Sequence, residues 1–166
     1  ETGTTDRTAS YTSGSGSSNL IFTYTVEEGD ISSNLDYTSN SALTLNGGSI
    51  KDAAGNDASL TLSEPGESGS LGENSSFVID GIVPTVSDIS SSTADGSYSI
   101  NQEILIDIEF SESLTVDTTN GTPTLELETG TTDRTASYTS GSGSSNLIFT
   151  YTVEEGDISS NLDYTS

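Results

Sequence analysis

The chain has 166 residues, of which 26 are acidic and three are basic, so its formal net charge at pH 7 is −23. Nucleic acids and anionic membrane surfaces bind clustered cations, so this balance argues strongly against both as partners and favours cations. No apolar run is long enough to span a bilayer, so membrane insertion is not expected. Because Cys, His, Met and Trp are absent, disulfides, Cys and His zinc sites, haem ligation and Cys or His catalysis are excluded.

The first predicted strand covers residues 19–26. Successive residues of a strand point to opposite sides, so residues two apart share a face. One face of this segment carries four apolar or aromatic side chains: Leu20, Phe22, Tyr24 and Val26. This alternation predicts a strand with that face on a core.

Shorter alternations follow along the chain. They pair Leu43 with Leu45, Leu60 with Leu62, and Phe77 with Ile79, and Pro84 then opens a strand through Val86 to Ile89. The clearest one covers residues 103–110 and places four apolar side chains on one face: Ile104, Ile106, Ile108 and Phe110. After Pro123, the alternation of apolar and polar residues continues with Leu125 and Leu127 and then with Ala136 and Tyr138.

Turn residues separate these segments, and no segment has a helical period. The Gly-, Asn- and Ser-rich clusters lie at 14–19, 29–30, 46–48, 55–57 and 120–121. Short strands between frequent turns predict an all-β fold, an immunoglobulin-like antiparallel β-sandwich. A barrel or a solenoid is the alternative, but a solenoid needs a much shorter internal period.

The chain contains a long exact repeat. Residues 1–39 are identical to residues 128–166, which indicates a tandem duplication with a period of 127 residues. We interpret residues 80–84 as a linker between two predicted strands. We therefore expect 1–81 to be the C-terminal part of one repeat and 82–166 the N-terminal part of the next, so that neighbouring identical repeats supply the missing strands.

Four places offer the oxygen ligands that calcium prefers. They are Asp80 at the linker; Asp52, Asn56 and Asp57 in the turn "KDAAGND"; Asp95 before Gly96; and Glu109 with Glu112, which flank Phe110 and Ser111 at a predicted strand end. None has the spacing of a helix-flanked calcium loop or of a glycine-rich nonapeptide repeat. By spacing alone, a solvated surface carboxylate is the competing interpretation at each position.

Six segments together resemble the bacterial immunoglobulin-like repeats of giant surface adhesins, and are similar to the extender domains of ice-binding adhesins from marine bacteria. They are "VIDGIVPTV", "STADGSYSINQEILIDIEFSESLTV", "GTPTLELETGTTDRTASYTSGSG", "LIFTYTVEEGD", "LDYTSNSALTLNGGSIKDAAGNDASLTL" and "SLGENSSFVID". The resemblance implies a calcium-binding β-sandwich that extends a long protein at the cell surface. It also strengthens Asp80, Asp52, Glu109 and Glu112 as calcium ligands.

The sequence therefore predicts a structural extender module of a calcium-stiffened, extracellular repeat protein, with any cell-surface or glycan ligand bound by other regions. Two alternatives stay open. The repeat could assemble into an extracellular fibre or sheath by sharing strands, or it could itself bind glycans or proteins. Enzyme activity is not expected, because nothing marks a carboxylic acid with a raised pKa and few aromatic residues are present for a sugar platform.

Overall fold

The computed structural model describes residues 2–165. The chain divides into two compact units, Glu1–Val83 and Pro84–Ser166. The division falls between Val83 and Pro84, close to the predicted boundary between Gly81 and Ile82. That each unit is a part of an immunoglobulin-like repeat stays a prediction.

The first unit contains two short antiparallel pairs and one helical turn. Its elements are β1 (Ser10–Ser13), β2 (Ile21–Thr23), β3 (Ile31–Ser32), α1 (Leu71–Asn74) and β4 (Ile79–Asp80). Strand β1 pairs with β2, and β3 pairs with β4. Strand β4 overlaps the predicted alternation of Phe77 and Ile79 only at Ile79, because it covers Ile79–Asp80.

The predictions of strands at Leu43–Leu45 and Leu60–Leu62 are wrong. These residues have no neighbouring strand to complete a ladder, and their backbone groups make isolated bonds instead. The Gly48 amide donates to the Leu45 carbonyl at 2.7 Å, which closes a turn, and the Leu62 amide donates to the Asn40 carbonyl at 2.9 Å.

Helix α1 was not expected from the sequence, which shows no helical period. Ser70 is its N-cap, and the Ser70 hydroxyl accepts a hydrogen bond from the Glu73 amide at 3.2 Å. The Ser-x-x-Glu spacing of a capping box is therefore the signal that could have predicted this turn. No helix in residues 2–165 is long and apolar enough to cross a membrane.

The second unit is a six-stranded antiparallel sheet. Its strands are β5 (Val86–Ser90), β6 (Glu103–Leu114), β7 (Thr124–Glu128), β8 (Arg134–Ser140), β9 (Ser144–Thr152) and β10 (Asp163–Tyr164). Their order across the curled sheet is β10-β7-β8-β9-β6-β5. Strands make up 32% of the chain and there is almost no helix, so the prediction of an all-β fold is confirmed.

Within residues 2–165, the buried hydrophobic side chains all lie in the second unit. They are Ile106, Ile108, Leu127, Ala136, Leu147, Phe149, Tyr151 and Val153. The predicted apolar faces of β6, β7 and β8 are therefore confirmed. For residues 19–26 the prediction of a strand on a core is wrong, because β2 covers only Ile21–Thr23 and Leu20, Phe22 and Val26 are exposed. The corresponding face is buried only in the second copy of this segment. Among residues 2–83 no hydrophobic side chain is buried, and the buried residues there are Thr2, Asp30 and Ser70.

Two hairpins of identical sequence have the same register. The first hairpin, β1–β2, pairs Ser10 with Thr23 and Tyr11 with Phe22, and the second hairpin, β8–β9, pairs the corresponding residues 127 positions later. Both turns contain a glycine with positive φ, which is Gly14 in the first hairpin. A Cβ added to Gly14 would collide with the Asn19 carbonyl. Local sequence therefore sets the hairpin geometry.

Candidate functional sites

A buried carboxylate organises the turn after the first hairpin. Asp30 is 1% exposed, and its Oδ1 accepts a hydrogen bond from Arg7 Nε at 2.8 Å. Its Oδ2 accepts from the Tyr24 hydroxyl at 2.6 Å and from the Glu27 amide at 2.9 Å. Arg7 also forms an ion pair with the Glu27 carboxylate at 2.8 Å. Each oxygen of Asp30 therefore has a protein partner.

These contacts perturb the titration of Asp30 and Tyr24. The hydrogen bond from Tyr24, with the Glu27 amide and Arg7, lowers the pKa of Asp30 to about 2, although burial opposes this shift. Burial and the hydrogen bond to Asp30 raise the pKa of Tyr24 to about 12. The network thus keeps Asp30 ionised and Tyr24 protonated, which suits a fixed structural contact rather than proton transfer.

The same cluster recurs in the second unit. Asp157 accepts from Arg134 Nε at 2.9 Å, from the Tyr151 hydroxyl at 2.6 Å and from the Glu154 amide at 2.7 Å. The hydrogen bond from Tyr151 is the largest of the effects that lower the pKa of Asp157. Sequence reasoning missed this cluster, but a signal was present, because the two arginines of the chain occupy the same position in the repeated segment.

The turn "KDAAGND" contains three of the predicted calcium ligands, and the structure brings two of them, Asp52 and Asn56, into contact. Asp52 Oδ1 accepts from the Ala54 and Asn56 amides at 2.9 and 2.8 Å, and Oδ2 accepts from Asn56 Nδ2 at 2.8 Å. These bonds, with that of the Asn56 side chain the largest, lower the pKa of Asp52. Asp57 forms an ion pair with Lys51. Within the chain, the carboxylates of this turn thus already have protein partners.

The candidates Asp80 and Asp95 are both exposed. Asp80 belongs to β4 rather than to a free linker, and its Oδ1 accepts from the Ile82 amide at 3.2 Å. Asp95 lies in the loop between β5 and β6. Neither has another predicted ligand in its own turn, so each would need backbone carbonyls or water to complete a calcium shell.

Glu109 and Glu112 lie within β6, which continues to Leu114 rather than ending beside them. Asp88 of β5 is paired with Glu109, so two carboxylates are cross-strand neighbours there, and sequence reasoning missed Asp88. Oε1 of Glu112 is enclosed and has no hydrogen-bond partner within residues 2–165. The residues described contain no group of three or more acidic side chains placed to hold a metal ion.

An open trough of about 1000 Å³ lies on the second unit. Its lining includes the core residues Ile106 and Leu127 together with acidic residues such as Asp88 and Asp95. Comparison of the chain with protein-family models, with curated proteins and with solved structures found no match. The functional proposal therefore depends on the sequence pattern and on the chemistry of this chain.

Proposed function

We propose that this chain is part of a structural extender: a tandem, immunoglobulin-like repeat of an extracellular protein that calcium stiffens. The observation that carries the proposal is the exact recurrence of 39 residues at an offset of 127. A repeat of domain size suits a protein whose role is length, because each added copy extends the array without changing its neighbours. The resemblance to bacterial adhesin repeats supports the same function.

Charge supports a role for calcium. A net charge of −23 makes the carboxylates repel one another in the compact state, and bound divalent cations relieve this repulsion. Within the proposal, Asp52, Asp80, Asp95, Glu109 and Glu112 supply carboxylate ligands, Asn56 and Asp57 join Asp52, and backbone oxygens and water complete each shell. No catalytic activity is proposed, and ligands of the cell surface are assigned to other regions.

Thermal unfolding with and without calcium tests the proposal. An ion that binds only the folded state, at a hundredfold excess over its Kd, stabilises it by about 2.7 kcal/mol. We expect a higher melting temperature in millimolar calcium than in chelator, and a much smaller effect of magnesium, which prefers a tighter octahedral shell. An unchanged melting temperature would contradict the calcium role.

Two matched variants locate the binding. Asp52→Asn removes charge from the "KDAAGND" turn, whereas Glu67→Gln removes one charge from a position that is not a predicted ligand. We expect the first variant to lose part of the calcium-induced shift and the second to retain it. Equal effects would mean that calcium acts through net charge rather than through a site.

One observation favours a second candidate function, a self-assembling fibre. Apolar side chains on the first hairpin are exposed, among them Tyr11, Ile21 and Phe22. Exposed apolar strands favour association between chains. A fibre subunit should form filaments by itself, which sedimentation and electron microscopy would detect, whereas an extender repeat should stay monomeric.

A further inference from the structure

The two hairpins of identical sequence differ sharply in burial. The exposed fractions of the first and second copies are 40% and 6% for Phe22 and Phe149, 36% and 5% for Leu20 and Leu147, and 46% and 9% for Val26 and Val153. Because sequence and register are the same, the difference comes from what packs against each hairpin.

Residues 84–127, here called the covering segment, account for the burial of the second hairpin. Strand β6 of this segment pairs with β9 along most of its length, and β7 pairs with β8. In this register Ile106 lies opposite Phe149, and Leu125 lies opposite Ala136. Within residues 2–83, β2 has only β1 as a neighbouring strand, so its other edge is unpaired.

We propose that the first hairpin is a docking surface for a second copy of the covering segment, carried by another repeat. The register of the second unit, shifted by 127 residues, specifies the contacts. Ile104 of the incoming segment would lie opposite Tyr24, Ile106 opposite Phe22, and Ile108 opposite Leu20. Strand addition at an open edge supplies backbone hydrogen bonds, and the matching apolar faces supply specificity.

Polar contacts favour this occupant over an arbitrary apolar strand. In the second unit, Asn146 Nδ2 donates to Asp107 of the covering segment at 3.1 Å. The Ser142 hydroxyl accepts from the Val116 amide at 2.9 Å, and the Gly143 amide donates to the Leu114 carbonyl at 2.7 Å. In the first hairpin the corresponding residues are Asn19, Ser15 and Gly16. The first hairpin therefore offers the same hydrogen-bonding groups to an incoming covering segment.

Docking depends on the proposed tandem repeat and not on calcium or adhesion. Docking requires only the shared sequence and the open face, so it should persist in chelator. If calcium proves irrelevant, the docking surface still stands. If docking fails, the calcium prediction is unaffected.

Thiol protection provides the test, because the chain contains no Cys and each single-Cys variant therefore has one thiol. Val26→Cys and Val153→Cys are matched variants, since Cys behaves as a small hydrophobic residue. In the 166-residue chain, Val26→Cys should react quickly with a thiol reagent and Val153→Cys slowly. Adding a fragment of residues 84–127 in chelator should slow Val26→Cys by at least about tenfold, because covering a thiol limits its reactivity.

Stoichiometry and register make the test specific. One fragment should bind per chain by analytical ultracentrifugation, and a fragment with Ile106→Asp should give no protection. Under mild oxidation, Thr23→Cys in the chain should cross-link to Leu105→Cys in the fragment. Thr150→Cys, in the same local sequence but already paired with Leu105 of its own unit, should not cross-link.

An extended chain removes the need for a free fragment. When residues 82–127 are placed again before Glu1, Val26→Cys should become as unreactive as Val153→Cys. Absence of protection in the extended chain would overturn the proposal. Equal cross-linking at Thr23→Cys and Thr150→Cys would also overturn it, as would protection of Val26→Cys by dimerisation of the chain alone.

Discussion

Replacing Phe149 with Ala should destabilise the second unit far more than replacing Phe22 with Ala destabilises either unit. The two rings have the same sequence neighbours and the same edge-to-face contact with a tyrosine, with centroids 5.9 Å apart in both copies. The two phenylalanines therefore differ mainly in burial: Phe149 is 6% exposed and Phe22 is 40% exposed.

The magnitude follows from that difference. A Phe→Ala change in a packed core costs about 3–5 kcal/mol, because the enclosed volume is lost as well as the transfer free energy. Phe22 is open on one side, so no closed cavity forms, and burial of roughly 60% of the residue corresponds to about 1–2 kcal/mol. A unit of this size has a stability of roughly 4–12 kcal/mol, so Phe149→Ala removes a large part of it.

Hydrogen exchange measured by mass spectrometry is the assay. Peptides from residues 1–39 and 128–166 have the same sequence, so the readout for the second unit has to come from the unique strand Glu103–Leu114. Amides of this strand that exchange through global opening should exchange about 100-fold faster or more in Phe149→Ala. In Phe22→Ala, their exchange should stay close to that of the original chain.

Two results would refute the reasoning. If both substitutions accelerate exchange in Glu103–Leu114 equally, burial beneath the covering segment does not distinguish the two rings. If Phe149→Ala leaves the exchange rate unchanged, Phe149 is not part of a core that stabilises the second unit.

Three further substitutions or conditions probe the polar contacts. Tyr151→Phe removes a hydrogen bond to a buried carboxylate and should cost about 1–3 kcal/mol, measured from urea unfolding of the second unit; no loss would mean that water replaces the hydroxyl. Because the pKa of Asp30 is lowered from the ordinary value of 3.8 to about 2, its ionised form stabilises the fold above pH 3.8, and this stabilisation is lost as the pH falls through about 2. NMR titration should therefore place the midpoint of Asp30 near 2 rather than near 4. Ser70→Ala should cost about 1 kcal/mol and speed exchange in Leu71–Asn74, and an unaffected helical turn would contradict its capping role.

Local sequence was sufficient for much of the strand pattern. Alternation predicted which side of β6 is buried, and Ile106 and Ile108 are both in the core. The two hairpins adopt one register although their surroundings differ, because turn glycines and nearby side chains set it. The predicted calcium ligands were a weaker inference, since carboxylate spacing alone does not specify which oxygens meet around an ion.

Tertiary structure decided what the same residues do in each unit. Tyr37 donates its hydroxyl to the Ser63 carbonyl at 2.8 Å, whereas its second copy, Tyr164, belongs to β10 and pairs with Leu127. The strands expected around Leu43 and Leu60 did not form, because a strand needs a neighbour to bond its backbone.

Burial shows the limit of sequence most clearly. Phe22 and Phe149 have identical neighbours for many residues in sequence, and yet only Phe149 lies in a core. Alternation identifies the apolar face of a strand, but water leaves that face only when another segment packs on it. In the second unit residues 84–127 provide that segment, and no local pattern in residues 1–39 could specify whether it would be there.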